Sequence, residues 1–111
     1  MSDEVLSADE VDAALAEQGL RWAREGDELV TSVTLHDFKA ALTFVNSVGE
    51  AAEAANHHPD IDIRWNTVRL ALSTHSAGGL TLLDLALANA IDRLRPDVRS
   101  NEREDPAGDG G

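Results

Sequence analysis

Apolar and polar residues recur along the chain with two different periods, and these periods predict seven elements. Apolar residues at helical spacing predict helices at 8–18, from 38 to no further than 58, and at 82–94. Alternation of apolar and polar residues, with many β-branched side chains, predicts strands at 20–24, 28–35, 61–65 and 68–73. The predicted order is helix, strand, strand, helix, strand, strand, helix.

Alternating strands have one apolar face, and this face needs a second layer to cover it. We therefore predict an α+β fold of two layers, with three helices on one face of a four-stranded, mainly antiparallel sheet. Turn residues at 25–27 join the first two strands as a hairpin, and Asn66-Thr67 is the predicted bend between the other two. Trp65, at the end of an alternating strand, is predicted to be a core residue.

Local signals mark the ends of the first and last helices. Ser7 and Glu10 form a capping box before the first helix, and Gly19 is a natural stop after it. Thr81 caps the last helix, and Asp84 at the third helical position can close a second capping box. This structural role for Asp84 stands beside any functional one.

The second helix is predicted to begin after Asp37, which can cap it, and to end before Pro59, because the residue before a proline is disfavoured in helical geometry. Its alanines between positions 40 and 55 form a narrow ridge that could pack against another helix. The predicted buried side of this helix comprises Phe38, Ala41, Leu42, Val45, Val48, Ala52 and Ala55. That of the last helix comprises Leu82, Leu85, Ala86, Ala90, Ile91 and Leu94.

Length and charge limit the classes of function. A chain of 111 residues predicts a single domain, here 1–95, followed by a disordered acidic tail at 96–111 that is almost without apolar residues. The formal net charge of −12 argues against direct binding to nucleic acid or to an anionic membrane surface. The chain has no cysteine, no signal peptide pattern and no apolar stretch of membrane-spanning length, so a cytoplasmic location is expected.

Histidines are the clearest candidates for chemistry. Three of the four, His57, His58 and His75, fall within nineteen residues, at a helix-to-strand junction and at the end of a strand. An imidazole titrates near neutral pH, so this layout predicts a pocket in which one group donates a proton and another accepts one. A metal site is the alternative, but neighbouring side chains at 57 and 58 diverge and no usual ligand spacing is present, so no metal is expected.

Seven positions at fixed gaps resemble the signature of the pterin-4a-carbinolamine dehydratases. The matching residues are Glu53, His57, His58, Pro59, Trp65, His75 and Asp84. The resemblance extends from about residue 7 to residue 94, with Ser76 and Ile61 departing from the commoner residues of the family.

The resemblance implies the predicted fold, a homodimer or homotetramer, and dehydration of 4a-hydroxytetrahydropterins without a metal or organic cofactor. It implies His57 and His75 as the main acid and base, with His58 assisting and Glu53 orienting an imidazole. It further implies a set of residues that bind or shape the pterin pocket: Glu53, Asn56, Pro59, Ser73, Thr74, Ser76 and Asp84.

A second reading is a binding module that acts through protein–protein contacts. Relatives of this fold serve as a dimerisation partner of a homeodomain transcription factor or in carbon-fixation assembly. The alanine ridge of the second helix would form the contact. An intact set of histidines favours the enzyme, since a pure scaffold would not need it.

Overall fold

The structure of the protein is a computed structural model that describes residues 4–96. It contains the seven predicted elements in the predicted order. These are α1 (Ala8–Gln18), β1 (Ala23–Glu25), β2 (Glu28–Thr34), α2 (Phe38–Ala55), β3 (Asp60–Arg64), β4 (Thr67–Leu72) and α3 (Leu82–Asp92). The predicted acidic tail, apart from its first residue, lies outside the described residues. Within them, no helix has the length and hydropathy that a membrane span requires.

The four strands form one antiparallel sheet in the order β1-β2-β4-β3. The two central strands carry the apolar face that the alternation predicts: Leu29 and Val33 of β2 and Val68, Leu70 and Leu72 of β4 are buried. Helices cover this face, and the predicted α+β fold is confirmed. Because β3 and β4 are antiparallel neighbours with Asp60 opposite Ala71, residues just before β3 lie beside residues just after β4.

Helix ends follow the local signals. Ser7 and Glu10 exchange both bonds of a capping box, and Thr81 and Asp84 do the same at α3. Gly19 ends α1 in the left-handed region at φ 64°, where a residue without Cβ is favoured. These predictions are confirmed because the groups that decide them lie within one turn of the helix end.

The first strand begins later than predicted. The sequence predicts 20–24, whereas β1 spans Ala23–Glu25. The backbone N–H of Arg21 donates to the Asp92 carboxylate, and its carbonyl accepts from the Thr31 hydroxyl and from Arg95. The backbone N–H and carbonyl of Arg21 are thus already hydrogen-bonded to side chains, and the pairing of β1 with β2 starts only at Ala23. Trp22 is buried but precedes the strand.

Trp65 is not a core residue. It lies in the turn between β3 and β4 at φ 57°, and 53% of it is exposed, with its ring parallel to that of Phe38. The turn falls at 65–66 rather than at 66–67, because Arg64 and Thr67 already pair in the ladder. Asn66 stabilises this turn through two hydrogen bonds with Leu35. Its side-chain amide donates to the Leu35 carbonyl, and its backbone carbonyl accepts from the Leu35 N–H.

The buried faces of α2 and α3 differ in part from the predicted ones. On α2, Phe38, Leu42 and Ala55 are exposed, whereas Phe44 is buried. On α3, Leu82 is 62% exposed and Ala86 and Leu94 are also exposed. The residues that α3 buries are Asp84, Leu85, Leu87, Ala88 and Ile91. Since α3 packs against both α1 and α2, its buried arc is set by these neighbours rather than by the apolar residues alone.

Candidate active site

The predicted site residues gather at the end of the sheet where β3 begins and β4 ends. The pairing of Asp60 with Ala71 brings the segment 57–59 beside the segment 73–75. The amino end of α3 reaches the same place, because Asp84 contacts both segments through its side chain. Three separate stretches of the sequence therefore meet here.

A left-handed residue at the end of α2 directs the histidine pair. Asn56 has φ 53° and its N–H donates to the carbonyls of Ala52 and Glu53. The N–H of His57 also returns to Ala52, at 3.1 Å. Asparagine tolerates this conformation better than most residues with a Cβ, and the chain can turn sharply into β3.

His57 points inward to a buried carboxylate. Its Nε2 lies 2.6 Å from Oδ1 of Asp84, with side-chain exposures of 11% and 0%. The other oxygen of Asp84, Oδ2, accepts the Thr74 hydroxyl at 2.7 Å and the Thr81 N–H at 3.0 Å. A buried carboxylate needs such partners, and here the two hydrogen bonds to Oδ2 leave Oδ1 facing the imidazole.

His58 points away from His57, to a different carboxylate. Its Nε2 lies 2.6 Å from Oε2 of Glu53, and both side chains are exposed. Glu53 thus contacts an imidazole, as the resemblance implies, and that imidazole is His58. An open groove of about 770 Å³ adjoins this pair, lined by Val45, Asn46, Gly49, Glu50, Ala52, Glu53, His58, Pro59 and Ile61. His57 and His75 are not part of its wall.

His75 stands on a compact loop from Thr74 to Gly79. The Thr74 N–H donates to the Gly79 carbonyl, and the Thr74 carbonyl accepts from three N–H groups of residues 77–79. Gly78 adopts φ 79°, which favours glycine. His75 and Ser76 at the start of this loop are exposed, so a closed loop presents their side chains outward.

The remaining predicted residues lie around this centre. Asn56 is exposed, Pro59 borders the groove beside His58, and Ser73 is half-buried between β4 and the loop. Thr74 is only 3% exposed, and its hydroxyl contacts Asp84 and Thr81. Thr81 was predicted only as a helix cap. Its contact with Thr74 joins two different elements, and no local pattern signals it.

Each of the two neighbouring imidazoles contacts its own carboxylate, Asp84 or Glu53. Among residues 4–96, no group of three or more histidine, aspartate or glutamate side chains is arranged to hold a metal ion. The arrangement is suited to proton transfer, since each imidazole has a carboxylate that can fix its orientation.

Known proteins are similar to this chain in sequence. The family model described as pterin 4 alpha carbinolamine dehydratase matches residues 4–94. A Nocardia farcinica protein with a provisional pterin-4-alpha-carbinolamine dehydratase name is 52% identical over 94 residues, which is 85% of this chain and 98% of the relative. A Chloroflexus aurantiacus protein with the same provisional name is 55% identical over 86 residues, 75% of this chain and 92% of the relative.

Solved structures share the fold. A crystal structure from Brucella melitensis, described as a transcriptional coactivator/pterin dehydratase, superposes with a TM-score of 0.78 at 28% identity, covering 84% of this chain and 100% of that one. A pterin dehydratase-like protein described as a RuBisCO assembly factor in the alpha-carboxysome has a TM-score of 0.55 at 18% identity, covering 68% and 87%, a likeness of fold alone. Together with the family match over residues 4–94, these relatives show that the chain belongs to the pterin-4a-carbinolamine dehydratase family.

Proposed function

We propose that the protein is a 4a-hydroxytetrahydropterin dehydratase, a hydro-lyase that forms a quinonoid dihydropterin and water. The observation that carries this proposal is the buried contact between His57 and Asp84, at 2.6 Å, beside the loop that presents His75. One imidazole held by a carboxylate and a second, exposed imidazole on the adjacent loop are the groups that an acid–base elimination needs.

The elimination requires one proton to arrive and one to leave. The C4a–O bond breaks, and the hydroxyl leaves as water after it receives a proton from an acid. The ring nitrogen bonded to C4a loses its proton to a base, and its electron pair forms the new double bond to carbon. No electron carrier is required, because the loss of water changes no overall oxidation state. We propose His57 and His75 as this acid–base pair.

Other predicted residues bind or position the substrate in this proposal. His58, held by Glu53, assists from the neighbouring groove, and Pro59 shapes the turn that carries both histidines. Ser73, Ser76 and Asn56 line the pterin pocket. No cofactor takes part in the proposed reaction, and the proposed location is the cytoplasm.

Turnover of a freshly generated 4a-hydroxytetrahydropterin tests the proposal. We expect His57→Ala and His75→Ala each to lower kcat/KM about 100-fold, the usual contribution of a positioned acid or base. His36→Ala is the matched control, because His36 is exposed and lies near the opposite end of β4, roughly 20 Å away along the strand. Wild-type protein that does not exceed the uncatalysed rate would reject the proposed activity.

A binding or assembly module remains the second candidate function. Apolar side chains on the outside of the protein favour it: Phe38 is 45% exposed and Leu42 is 41% exposed, both on α2. The alanine ridge predicted as the contact is in part unavailable, because Ala41 and Ala52 are buried in the core of the chain itself. Recovery of a stoichiometric protein partner, together with no pterin turnover, would favour this function over the enzyme.

A further inference from the structure

A chain of buried hydroxyl groups leads from the amino end of α3 to the imidazole of His57. The Thr81 and Thr74 hydroxyl oxygens are 2.8 Å apart, and Thr74 Oγ1 lies 2.7 Å from Oδ2 of Asp84. Thr81 and Asp84 are 0% exposed and Thr74 is 3% exposed. These hydrogen bonds therefore form away from bulk water, where a missing partner is most unfavourable.

The direction of each hydrogen bond in this chain can be assigned. Thr74 has one hydroxyl proton, and it donates this proton to the Asp84 carboxylate. The proton between the two threonines must then come from Thr81, whose oxygen accepts in turn from the N–H of Leu83 at 3.2 Å. The backbone N–H of Thr81 also donates to Oδ2 of Asp84.

This assignment decides which nitrogen of His57 carries the proton. Oδ2 of Asp84 accepts from two donors, as a carboxylate oxygen does, and its Oδ1 faces Nε2 of the ring at 2.6 Å. The hydrogen bond therefore forms when Nε2 carries a proton. In the neutral ring, Nδ1 is then unprotonated and is the nitrogen left to exchange a proton with another molecule.

We propose that Thr74 and Thr81 are positioning residues that hold Asp84, and through it the Nε2–H form of His57, so that Nδ1 is the atom that exchanges a proton with the substrate. The proposal rests on the proposed function only for the role of His57 in turnover. The tautomer of the ring can be measured without substrate.

The test is a long-range ¹H–¹⁵N correlation spectrum of protein labelled on its histidine rings. His57→Gln identifies the His57 signals by their loss. In the wild type we expect the neutral ring to show a protonated Nε2 and an unprotonated Nδ1. Thr74→Val, which is isosteric but lacks the hydroxyl, should give a mixture of both tautomers, and Thr74→Ser should restore the single form.

Thr81→Val and Thr81→Ser form a second pair with the same expected contrast. Asp37→Ala is the control for a purely structural effect, because Asp37 caps α2 at the other end of the sheet from His57. Both substitutions remove a helix cap and lower the stability of the fold. If only stability mattered, Asp37→Ala would change the His57 signals as Thr81→Val does.

Kinetics give a separate reading. Thr74→Val should lower kcat about 10-fold, as the loss of a supporting partner does in other sites, and leave KM within about twofold, because the buried hydroxyl is engaged by Asp84 and Thr81. A neutral wild-type ring protonated on Nδ1, or a single Nε2–H form kept in Thr74→Val, would overturn the proposal. If the wild type shows the Nε2–H form of His57 but no turnover, the proposed function is rejected, and the positioning role of Thr74 and Thr81 is supported.

Discussion

Asp92 and Arg95 form a nearly buried ion pair that connects three parts of the chain. Asp92 accepts from Nε of Arg95 at 2.8 Å, from the Trp22 indole at 2.8 Å and from the Arg21 N–H at 2.9 Å. Arg95 also donates to the Thr31 hydroxyl at 2.7 Å. Burial lowers the pKa of Arg95, and the hydrogen bond and charge of the Asp92 carboxylate oppose this shift. The buried guanidinium is therefore stabilised by the carboxylate that faces it.

Removal of one charge from this pair should therefore be strongly destabilising. We expect Asp92→Asn to lower the free energy of unfolding by about 3 kcal/mol, because it leaves a guanidinium with little access to water and without its counter-charge. Urea denaturation measures the change. Asp62→Asn is the control, since the Asp62–Arg64 pair is exposed and should contribute less than about 1 kcal/mol. Equal effects of the two variants would contradict this account.

At the scale of elements, a surface ion pair joins α1 to β1. Two hydrogen bonds, of 3.0 and 3.3 Å, connect the Arg24 guanidinium with both carboxylate oxygens of Asp12. The hydrogen bond from Arg24 lowers the pKa of Asp12. A carboxyl whose folded pKa is depressed stabilises the fold above its unfolded pKa of about 3.9, and this stabilisation disappears as the pH falls through the lower folded value.

The consequence is a pH-dependent effect of Asp12→Asn. We expect this variant to unfold at a lower urea concentration than the wild type at pH 7, by a small amount because the pair is exposed to solvent. The difference should narrow as the pH falls below about 4, where Asp12 takes up a proton in the unfolded chain before it does so in the folded one. A difference that is the same at pH 7 and in strong acid would show that the ion pair is not its cause.

The turn after α2 offers a test of Asn56, which is both a helix cap and a predicted pterin-binding residue. Glycine adopts the left-handed conformation without strain, whereas alanine at φ 53° costs about 1 kcal/mol. We therefore expect Asn56→Gly to keep the stability of the wild type and Asn56→Ala to lose about 1 kcal/mol in urea denaturation. If the amide also binds substrate, Asn56→Gly should raise KM severalfold. An unchanged KM would limit Asn56 to its role as a cap.

At the scale of the whole molecule, four large apolar side chains remain at the surface near α2 and β3. Phe38, Leu42, Ile61 and Trp65 are each between 39% and 53% exposed. Contiguous apolar surface is unusual on a monomer and commonly marks a contact with another protein chain. We therefore propose that this surface forms the contact of the homodimer or homotetramer that the family resemblance implies.

Light scattering on the purified protein tests the oligomer. We expect the mass of two or four chains, and a smaller mass for Leu42→Lys, because a charge in an apolar contact is unfavourable. Thr43→Lys is the control, since it adds the same charge to an exposed neighbour on a different side of α2. A monomeric wild type would reject the proposed oligomer, and an unchanged mass for Leu42→Lys would place the contact elsewhere.

Particular residues show how far prediction from the sequence reaches. Ser7 with Glu10 and Thr81 with Asp84 were predicted as capping boxes and form them, because both partners lie three residues apart. Trp65 was predicted in the core and lies in a turn, because strand alternation does not indicate where the ladder ends. Apolar spacing likewise did not separate the covered from the uncovered side of α2 and α3.

The sequence by itself determined the order of the elements, most helix ends and the family. Periodicity and capping depend on residues a few positions apart, and the family motif depends on residue types at fixed gaps. Only the tertiary structure decided which carboxylate each histidine contacts. His57 and Asp84 are 27 positions apart, and His58, its neighbour, turns instead to Glu53 five positions away. The contact of His57 with Asp84 is fixed by how β3, β4 and α3 pack together, and this packing depends on contacts between distant residues that no local pattern contains.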